Sequence, residues 1–452
     1  MRASRDQHAI WWQVYPLGFL GARTVAGGAA GRPLDALGDW LGYAADLGVS
    51  GLALGPVFAS STHGYDTLDY FRIDERLGDE GSLDRLVEAA GRRGLRVLLD
   101  GVFNHVGAGY PPFQRVLAGQ ATPAEAAWFV PAAAPAAAGA AAGTPDGSAA
   151  VSGAPAYRTF EGHPGLIALN HENPAVADFV AGVMEHWLGR GVSGWRLDAA
   201  YAVPRAFWAA VLPRVRARYP GAYLVGEVIH GDYSAFVRES GVDAVTQYEL
   251  WKAIWSSLND ANLFELAWAL KRHDELLATF VPLTFIGNHD VTRIASRLAD
   301  ERHLGHALAV LFTVAGTPSV YYGDEQGFRG IKEDRAGGDD EIRPAFPAAG
   351  PAGLAPFGWP VYRLHQELIG FRRRHPWLHR AAPAVLQLTN TFLAYECVDG
   401  ASRVLVALNV ADAPQQVAAA GACRELVGEP GATVDDGVLT VPGHAWAVYS
   451  VD

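Results

Sequence analysis

Short apolar runs rich in β-branched and aromatic residues alternate along the chain with stretches whose apolar residues fall at helical spacing. Eight such runs stand out: WWQVYP (11–16), GVSGLALGP (48–56), GLRVLLDGVFNH (94–105), GWRLDAA (194–200), AYLVGEV (222–228), DAVTQYEL (243–250), PLTFIGNHD (282–290) and PSVYYGDEQG (318–327). Runs of this kind suit strands buried on both faces. The intervening stretch SLDRLVEAAGRRG reads as a helix, with Ser82 as its N-cap and Gly94 as its stop. Strands and helices in strict alternation predict an α/β fold, a (β/α)8 barrel.

Two departures from this rhythm divide the chain. Between the third and fourth runs lies a long insert, 106–165, containing VPAAAPAAAGAAAGTPDGSAAVSGAPA (130–156). That segment is too poor in large apolar residues to build a core and is expected to be a mobile loop. The barrel is then assigned to 1–105 and 166–377. From 378 to 452 the runs alternate in period two, as in AVLQLTNTFLAYECV, RVLVALNV and AWAVYSVD, which predicts a C-terminal antiparallel β domain.

Composition adds exclusions. The net charge of −12, from 36 basic and 48 acidic residues, disfavours nucleic acid and anionic membrane surfaces as partners. Lysine is confined to Lys252, Lys271 and Lys332, with arginine in its place, a compositional bias and not a chemical signal. The N-terminal MRASRDQHAIWWQVYP lacks the apolar stretch of a signal peptide, and no long apolar run suits a membrane span, so a cytoplasmic location is expected. Cys397 and Cys423 match no metal spacing; a bridge between them is one option, and free thiols are the expected state.

Candidate chemistry concentrates where the strands end, the face on which such barrels carry their sites. The third run ends with Asp100, Asn104 and His105, the fourth with Arg196 and Asp198, the fifth with Glu227, and the seventh with Asn288, His289 and Asp290. Asp324 and Glu325 follow the eighth. Residues two apart on a strand share a face, so Arg196 and Asp198 point together. Taken alone, such a pair is more often a structural ion pair, and a Glu after a strand Gly or an Asn-His-Asp turn is weak evidence. Three acids at successive strand ends are another matter. Glycoside hydrolysis needs two carboxyl groups about the scissile bond, one ionised and one protonated. Arg196 beside Asp198 is expected to lower its pKa and suit a nucleophile. The apolar neighbours of Glu227 are expected to raise its pKa and suit a general acid. Asp290 is placed to accept hydrogen bonds from sugar hydroxyls, with His105 and His289 as donors.

These motifs, in this order, resemble the α-amylase family, glycoside hydrolase family 13. DGVFNH (100–105), GWRLDAA (194–200), GEV (226–228) and IGNHD (286–290) look like its four conserved regions; GVSGLALGP, HGYD (63–66), GLIALN (165–170) and GTPSVYYGDEQG (316–327) match further signatures. The resemblance runs over about 8–450 and implies a barrel, a small domain inserted after the third strand, a C-terminal β-sandwich and a retaining mechanism. By motif, Asp198 matches the nucleophile, Glu227 the acid/base and Asp290 the transition-state stabiliser. Arg196 orients Asp198, His105 and His289 match donors to the sugar at the cleaved bond, and Tyr65 matches the aromatic platform beneath it. Asp66 resembles one half of a pair reading the non-reducing side, with Arg343 of DDEIRPAFP as its partner.

The sequence also departs from the family. Calcium-binding members use an Asn equivalent to Asn104 and a His after a Lys in the second region; here Ala199, Ala200 and Tyr201 follow Asp198, which weighs against that calcium site, and no cofactor is required. By resemblance to related exo-acting glucosidases, Ala200, a small residue two after the nucleophile, leans toward α-1,4 bonds, and no N-terminal domain like that of dimeric cyclodextrinases is expected. The resulting expectation is a retaining α-glucosidic hydrolase acting on short linear or cyclic maltooligosaccharides, as a monomer or homodimer. A glucosyltransferase or isomerase with the same residues, and a hydrolase of a cyclic tetrasaccharide with mixed α-1,4 and α-1,6 bonds, stay open as alternatives.

Overall fold

A computed structural model of the 452-residue chain describes residues 8–25, 27–132, 148–149, 157–335, 337–419, 421 and 423–451. Each of the eight runs forms a barrel strand: Trp11–Val14, Gly51–Leu54, Arg96–Gly101, Gly194–Leu197, Tyr223–Gly226, Ala244–Val245, Leu283–Phe285 and Thr317–Tyr321. Every neighbouring pair is parallel. A parallel bridge from Thr246 to Leu283 joins the sixth strand to the seventh and closes the ring. The barrel strands are almost wholly buried, which is why they read as apolar runs and not as alternating ones.

Local sequence explains the joints. The helix before the third strand, Glu80–Arg92, starts from Asp79, whose carboxylate accepts from Ser82 N at 2.8 Å while Ser82 Oγ faces Asp79 N. Ser82 is thus the third helical residue of a capping box and not the N-cap expected from sequence. Gly94 follows the helix at φ +70°, the left-handed stop its sequence position suggested. Gly194 opens the fourth strand because a Cβ there would lie 2.0 Å from Tyr223 O; only glycine lets the fourth and fifth strands approach so closely.

The insert leaves the barrel through an antiparallel ribbon in which His105–Gly107 pairs with Leu166–Ala168, and it carries two short helices, Pro111–Leu117 and Pro123–Ala126. Most of the segment expected to be a loop, 133–147 and 150–156, lies outside the described residues; Ser148–Ala149 pairs with Tyr157–Arg158.

The C-terminal region forms two antiparallel sheets. One has Ala382–Leu388, Phe392–Asp399, Ser402–Asn409, Ala445–Val451 and Cys423–Gly428 in spatial order; the other has Gln415–Ala418, Val438–Val441 and Thr433–Asp435. Phe392, Leu405 and Tyr449 of the first pack with Val417, Leu439 and Val441 of the second, so the expected β-sandwich is formed. Its other face joins the barrel. Gly305, in the helix Leu304–Thr313, lies so close to Trp446 that a Cβ would fall 2.1 Å from the indole Nε1. Cys397 is buried and Cys423 exposed, and both are free thiols. Among the described residues no helix is long and apolar enough to cross a membrane.

Asp324 and Glu325, candidates for the barrel mouth on sequence, serve the scaffold instead. Asp324 accepts from Arg293 Nη1 at 2.8 Å, and Arg293 also donates to Tyr322 O and Ile342 O while lying over the Tyr321 ring. Glu325 accepts from Tyr43 OH, Trp12 Nε1 and Gly323 N. Arg293 is wholly buried, so removing it strands a buried carboxylate. Arg293→Met should cost about 3–5 kcal/mol in urea unfolding, and the added change Asp324→Asn should recover part of it. A loss under about 1 kcal/mol, the range of an exposed pair, would show that this link is not structural.

Candidate active site

The register of three barrel strands sets the centre of the site. Arg196 pairs in register with Asp100 on the third strand and Val225 on the fifth. Asp198 and Glu227 therefore emerge side by side from the next turns, Asp198 N bonded to Gly101 O and Glu227 N to Leu197 O. The Arg196 guanidinium lies among all three acids. Its Nη1 donates to both Asp100 oxygens at 2.8 and 2.7 Å and to Asp198 Oδ1 at 3.1 Å, and its Nη2 meets Glu227 Oε1 at 2.7 Å. Ala199, at φ +43°, turns the backbone after Asp198 so that its own N–H donates to Glu227 Oε2 at 3.0 Å. A left-handed alanine is uncommon, and this one aims an amide at a reacting carboxyl.

This geometry corrects the expected pKa of Asp198. Burial holds the Asp198 carboxyl well above the usual aspartate range; Arg196 opposes this, while Glu227, Asp100 and Asp290 add to it. The expected lowering by Arg196 is present but is outweighed by burial. Glu227 does not sit in the apolar pocket its neighbours suggested: it is ion-paired to Arg196 and accepts from Tyr248 OH at 3.2 Å.

A second group lies on the seventh strand's end. Gln13 Nε2 donates to His289 Nδ1 at 3.2 Å, which leaves the ring proton on Nε2, 2.9 Å from Asp290 Oδ2 and against Tyr65 OH. Asp290 also accepts from Arg343 Nη2 at 3.0 Å, and its pKa is held far below the usual range by His289, Arg343 and Arg196 against the pull of burial. Tyr65 stacks parallel to the His289 ring and donates to Asp100 Oδ2 at 3.2 Å. The structure thus brings Tyr65, Arg196, Asp198, Glu227, His289, Asp290 and Arg343 into one linked cluster.

Two expected binding residues play other parts. Asp66 does not meet Arg343; its carboxylate accepts from Thr62 N at 3.1 Å and Thr62 Oγ1 at 2.7 Å, bracing the turn that carries Tyr65. The partner of Arg343 is Asp339, at 2.9 Å and four residues earlier. His105 is not a free donor. Its Nε2 meets Tyr65 O at 3.0 Å, its Nδ1 faces the Asn104 amide, and its ring stacks on Phe160. Burial lowers its pKa to about 3, so it is a neutral ring that positions Tyr65. Trp208, on the helix Arg205–Arg218, is wholly buried core.

Sequence reasoning missed Tyr248, Gln13 and Asp339, and gave no role to Asp100 or Asn288. Tyr248 stays protonated because burial and Glu227 push its phenol far up, and its oxygen accepts from Asn288 Nδ2 at 3.0 Å. Its place at the end of the sixth run was the available signal. Asn288 Oδ1 in turn accepts from Asp290 N at 2.8 Å. Asn104 turns its amide to His105, and no carboxylate among the described residues is hydrogen-bonded to it. That donor set does not fit a calcium ion, which prefers several carboxylate and carbonyl oxygens.

Beneath Arg196 and Glu227 the barrel interior leaves only about 30 Å³, room for a water or two. Outward, beyond Arg343, a cleft of about 530 Å³ is lined by Tyr15, His63, Arg335, Asp339 and Arg343.

Comparison with known proteins agrees with this geometry. The alpha amylase catalytic-domain family matches residues 13–387. A cyclomaltodextrinase of Geobacillus thermopakistaniensis is 29% identical over 98% of this chain and 77% of its own length. An intracellular maltogenic amylase of Bacillus subtilis (strain 168) is 29% identical over 71% of this chain, which spans 56% of that relative. The crystal structure of a cyclic α-maltosyl-(1→6)-maltose hydrolase from Arthrobacter globiformis superposes with a TM-score of 0.82, covering the whole of both chains at 24% identity, a likeness of fold. With its eight-strand ring and its acids on three strand ends, the chain belongs to the alpha-amylase family.

Proposed function

We propose that the protein is a retaining glycoside hydrolase that cleaves α-glucosidic bonds, mainly α-1,4, in short linear or cyclic maltooligosaccharides. The observation that carries this reading is the adjacent emergence of Asp198 and Glu227 around one guanidinium at the strand ends of the barrel. Residues 1–105 and 166–377 form the catalytic barrel in this reading, 106–165 the insert over its mouth, and 378–452 an accessory β domain. The names of the cyclomaltodextrinase and intracellular maltogenic amylase relatives support both the substrate class and a cytoplasmic location.

In the first step Asp198 attacks C1 while Glu227 gives its proton to the leaving oxygen, forming a β-glycosyl ester. In the second, Glu227 takes a proton from water, whose oxygen attacks C1 and releases the α-product and the Asp198 carboxylate. Arg196 and the Ala199 amide hold the two carboxyls in place across both steps. Asp290, kept anionic by His289 and Arg343, faces the positive charge that develops on the sugar ring. Tyr65 supplies the flat surface beneath that ring, and Asp339 with Arg343 offers hydroxyl partners toward the larger cleft. No step requires a metal or cofactor.

Anomeric proton NMR on maltotriose, maltoheptaose, cyclodextrins and panose tests this directly. Early release of α-anomeric glucose or maltose supports a retaining hydrolase; β-anomers would overturn it. Longer or isomerised sugars would assign the same residues to a transferase, and cleavage confined to the cyclic α-maltosyl-(1→6)-maltose ring would narrow the substrate. Glu227→Gln should lower kcat by about 10²–10⁴ with the unfolding midpoint unchanged, and undiminished turnover would sink the assignment. Tyr248→Phe removes the phenol's hydrogen bond to Glu227 and should lower kcat about tenfold, with KM nearly unmoved. Asp198 works as an anion, and burial raises its pKa. Its protonation therefore begins at higher pH than for an ordinary aspartate, and kcat/KM should fall on acidification with its limb above 3.8. A limb at or below that value would show that Asp198 is not the group being titrated.

A further inference from the structure

A second convergence of ligating side chains lies where the barrel meets the sandwich. Asp300 caps the single 3₁₀ turn Glu301–His303, so Asp300 and His303, three residues apart, project on one side. His444 comes from the turn before the last strand, Ala445–Val451, and holds a left-handed backbone at φ +51°. His303 Nε2 lies 3.1 Å from His444 Nδ1, and Asp300 Oδ2 lies 3.9 Å from the same Nδ1. One ligand atom from each residue falls within 4.8 Å of the others, and this is the only such trio among the described residues.

The outer contact decides the character of the group. His444 Nε2 meets Asp412 Oδ1 at 2.9 Å. A carboxylate accepts only, so the His444 proton is on Nε2 and Nδ1 presents a lone pair to His303 and Asp300. A carboxylate behind an imidazole whose other nitrogen faces inward is the arrangement that orients histidine ligands in zinc sites. Zn–N bonds of 2.0–2.1 Å place tetrahedral ligands about 3.3 Å apart, close to the His303–His444 spacing. Asp300 is half-buried and accepts from the exposed Arg302; a carboxylate has lone pairs for both partners.

We propose that Asp300, His303 and His444 bind one zinc-class divalent ion that ties the barrel to the C-terminal sandwich. Two imidazoles and one carboxylate favour zinc over calcium or magnesium, which take oxygen donors. Without the ion, His303 Nε2–H donates to His444 Nδ1. On binding, the His303 proton moves to Nδ1 by exchange with water, and both facing nitrogens bond the metal. None of these residues touches the catalytic cluster, so the role is structural.

The test uses the full chain, stripped with EDTA and titrated with Zn²⁺ by calorimetry, with Co²⁺ absorption as the report of tetrahedral geometry. Expected are one Zn²⁺ per chain at a Kd of about 10 µM or tighter, and an unfolding midpoint that rises with Zn²⁺. Asp300→Asn and Asp412→Asn, both near the surface, should each weaken binding by about 10–100-fold while turnover is kept. His444→Ala should remove saturable binding and the rise in midpoint together. No saturable binding below about 100 µM in the parent chain would overturn the proposal, leaving a plain His303–His444 hydrogen bond. Binding undiminished in Asp300→Asn and Asp412→Asn would overturn it too, because the ion would then sit elsewhere.

Discussion

The buried guanidinium of Arg196 is shared by Asp100, Asp198 and Glu227, and the arrangement of the barrel mouth follows from that sharing. A buried cation demands partners, and the ring of parallel strands supplies them at fixed register: Asp100 level with Arg196 on one neighbour, Glu227 one turn beyond Val225 on the other. Asp100 takes the two-oxygen contact. Asp198 and Glu227 share what remains, which holds the two carboxyls side by side. An arginine serving Asp198 alone would have made a quiet ion pair.

Around this centre a second layer of groups fixes geometry at little electrostatic cost. Tyr248, Asn288 and the Ala199 amide hold Glu227 and the turn before Asp290 through hydrogen bonds. Gln13 sets the His289 tautomer, and His105 grips the backbone of Tyr65. These residues come from the first, third, fourth, sixth and seventh strand ends, so the site can be precise only if the ring is closed. The Thr246–Leu283 bridge is thus part of the catalytic architecture although it touches no reacting group.

The sequence displays what is periodic or local. Strands buried on both faces leave apolar runs, and the two-residue spacing of Arg196 and Asp198 reveals a shared face. It is silent on pairings that arise only in three dimensions. Asp66 and Arg343 carry opposite charges and lie in matching motifs, yet Thr62 claims the first and Asp339 the second. His105 bonds a backbone carbonyl, which leaves no mark on any partner's identity. The expected pKa of Asp198 differs for a related reason: its arginine neighbour is visible in the chain, whereas its burial, and the acids that add to that effect, arise only when the strands assemble.

The contrast between Arg196 and Arg293 shows what separates a working cluster from a structural one. Both are buried arginines bonded to carboxylates at strand ends, made of the same residue types. Arg293 meets one carboxylate, Asp324, and completes its bonding with backbone carbonyls, so charge balances within the fold. Arg196 and Arg343 between them meet five carboxyls: Asp100, Asp198, Glu227, Asp290 and Asp339. Two cations face five acids; burial holds Asp198 above its normal range, while His289, Arg343 and Arg196 hold Asp290 below it against the pull of burial. Environments that push like groups apart in this way are what acid–base chemistry uses. The excess of negative charge at the mouth is therefore a cost the fold bears for a ligand that brings developing positive charge, and a sugar passing through an oxocarbenium-like state is such a ligand.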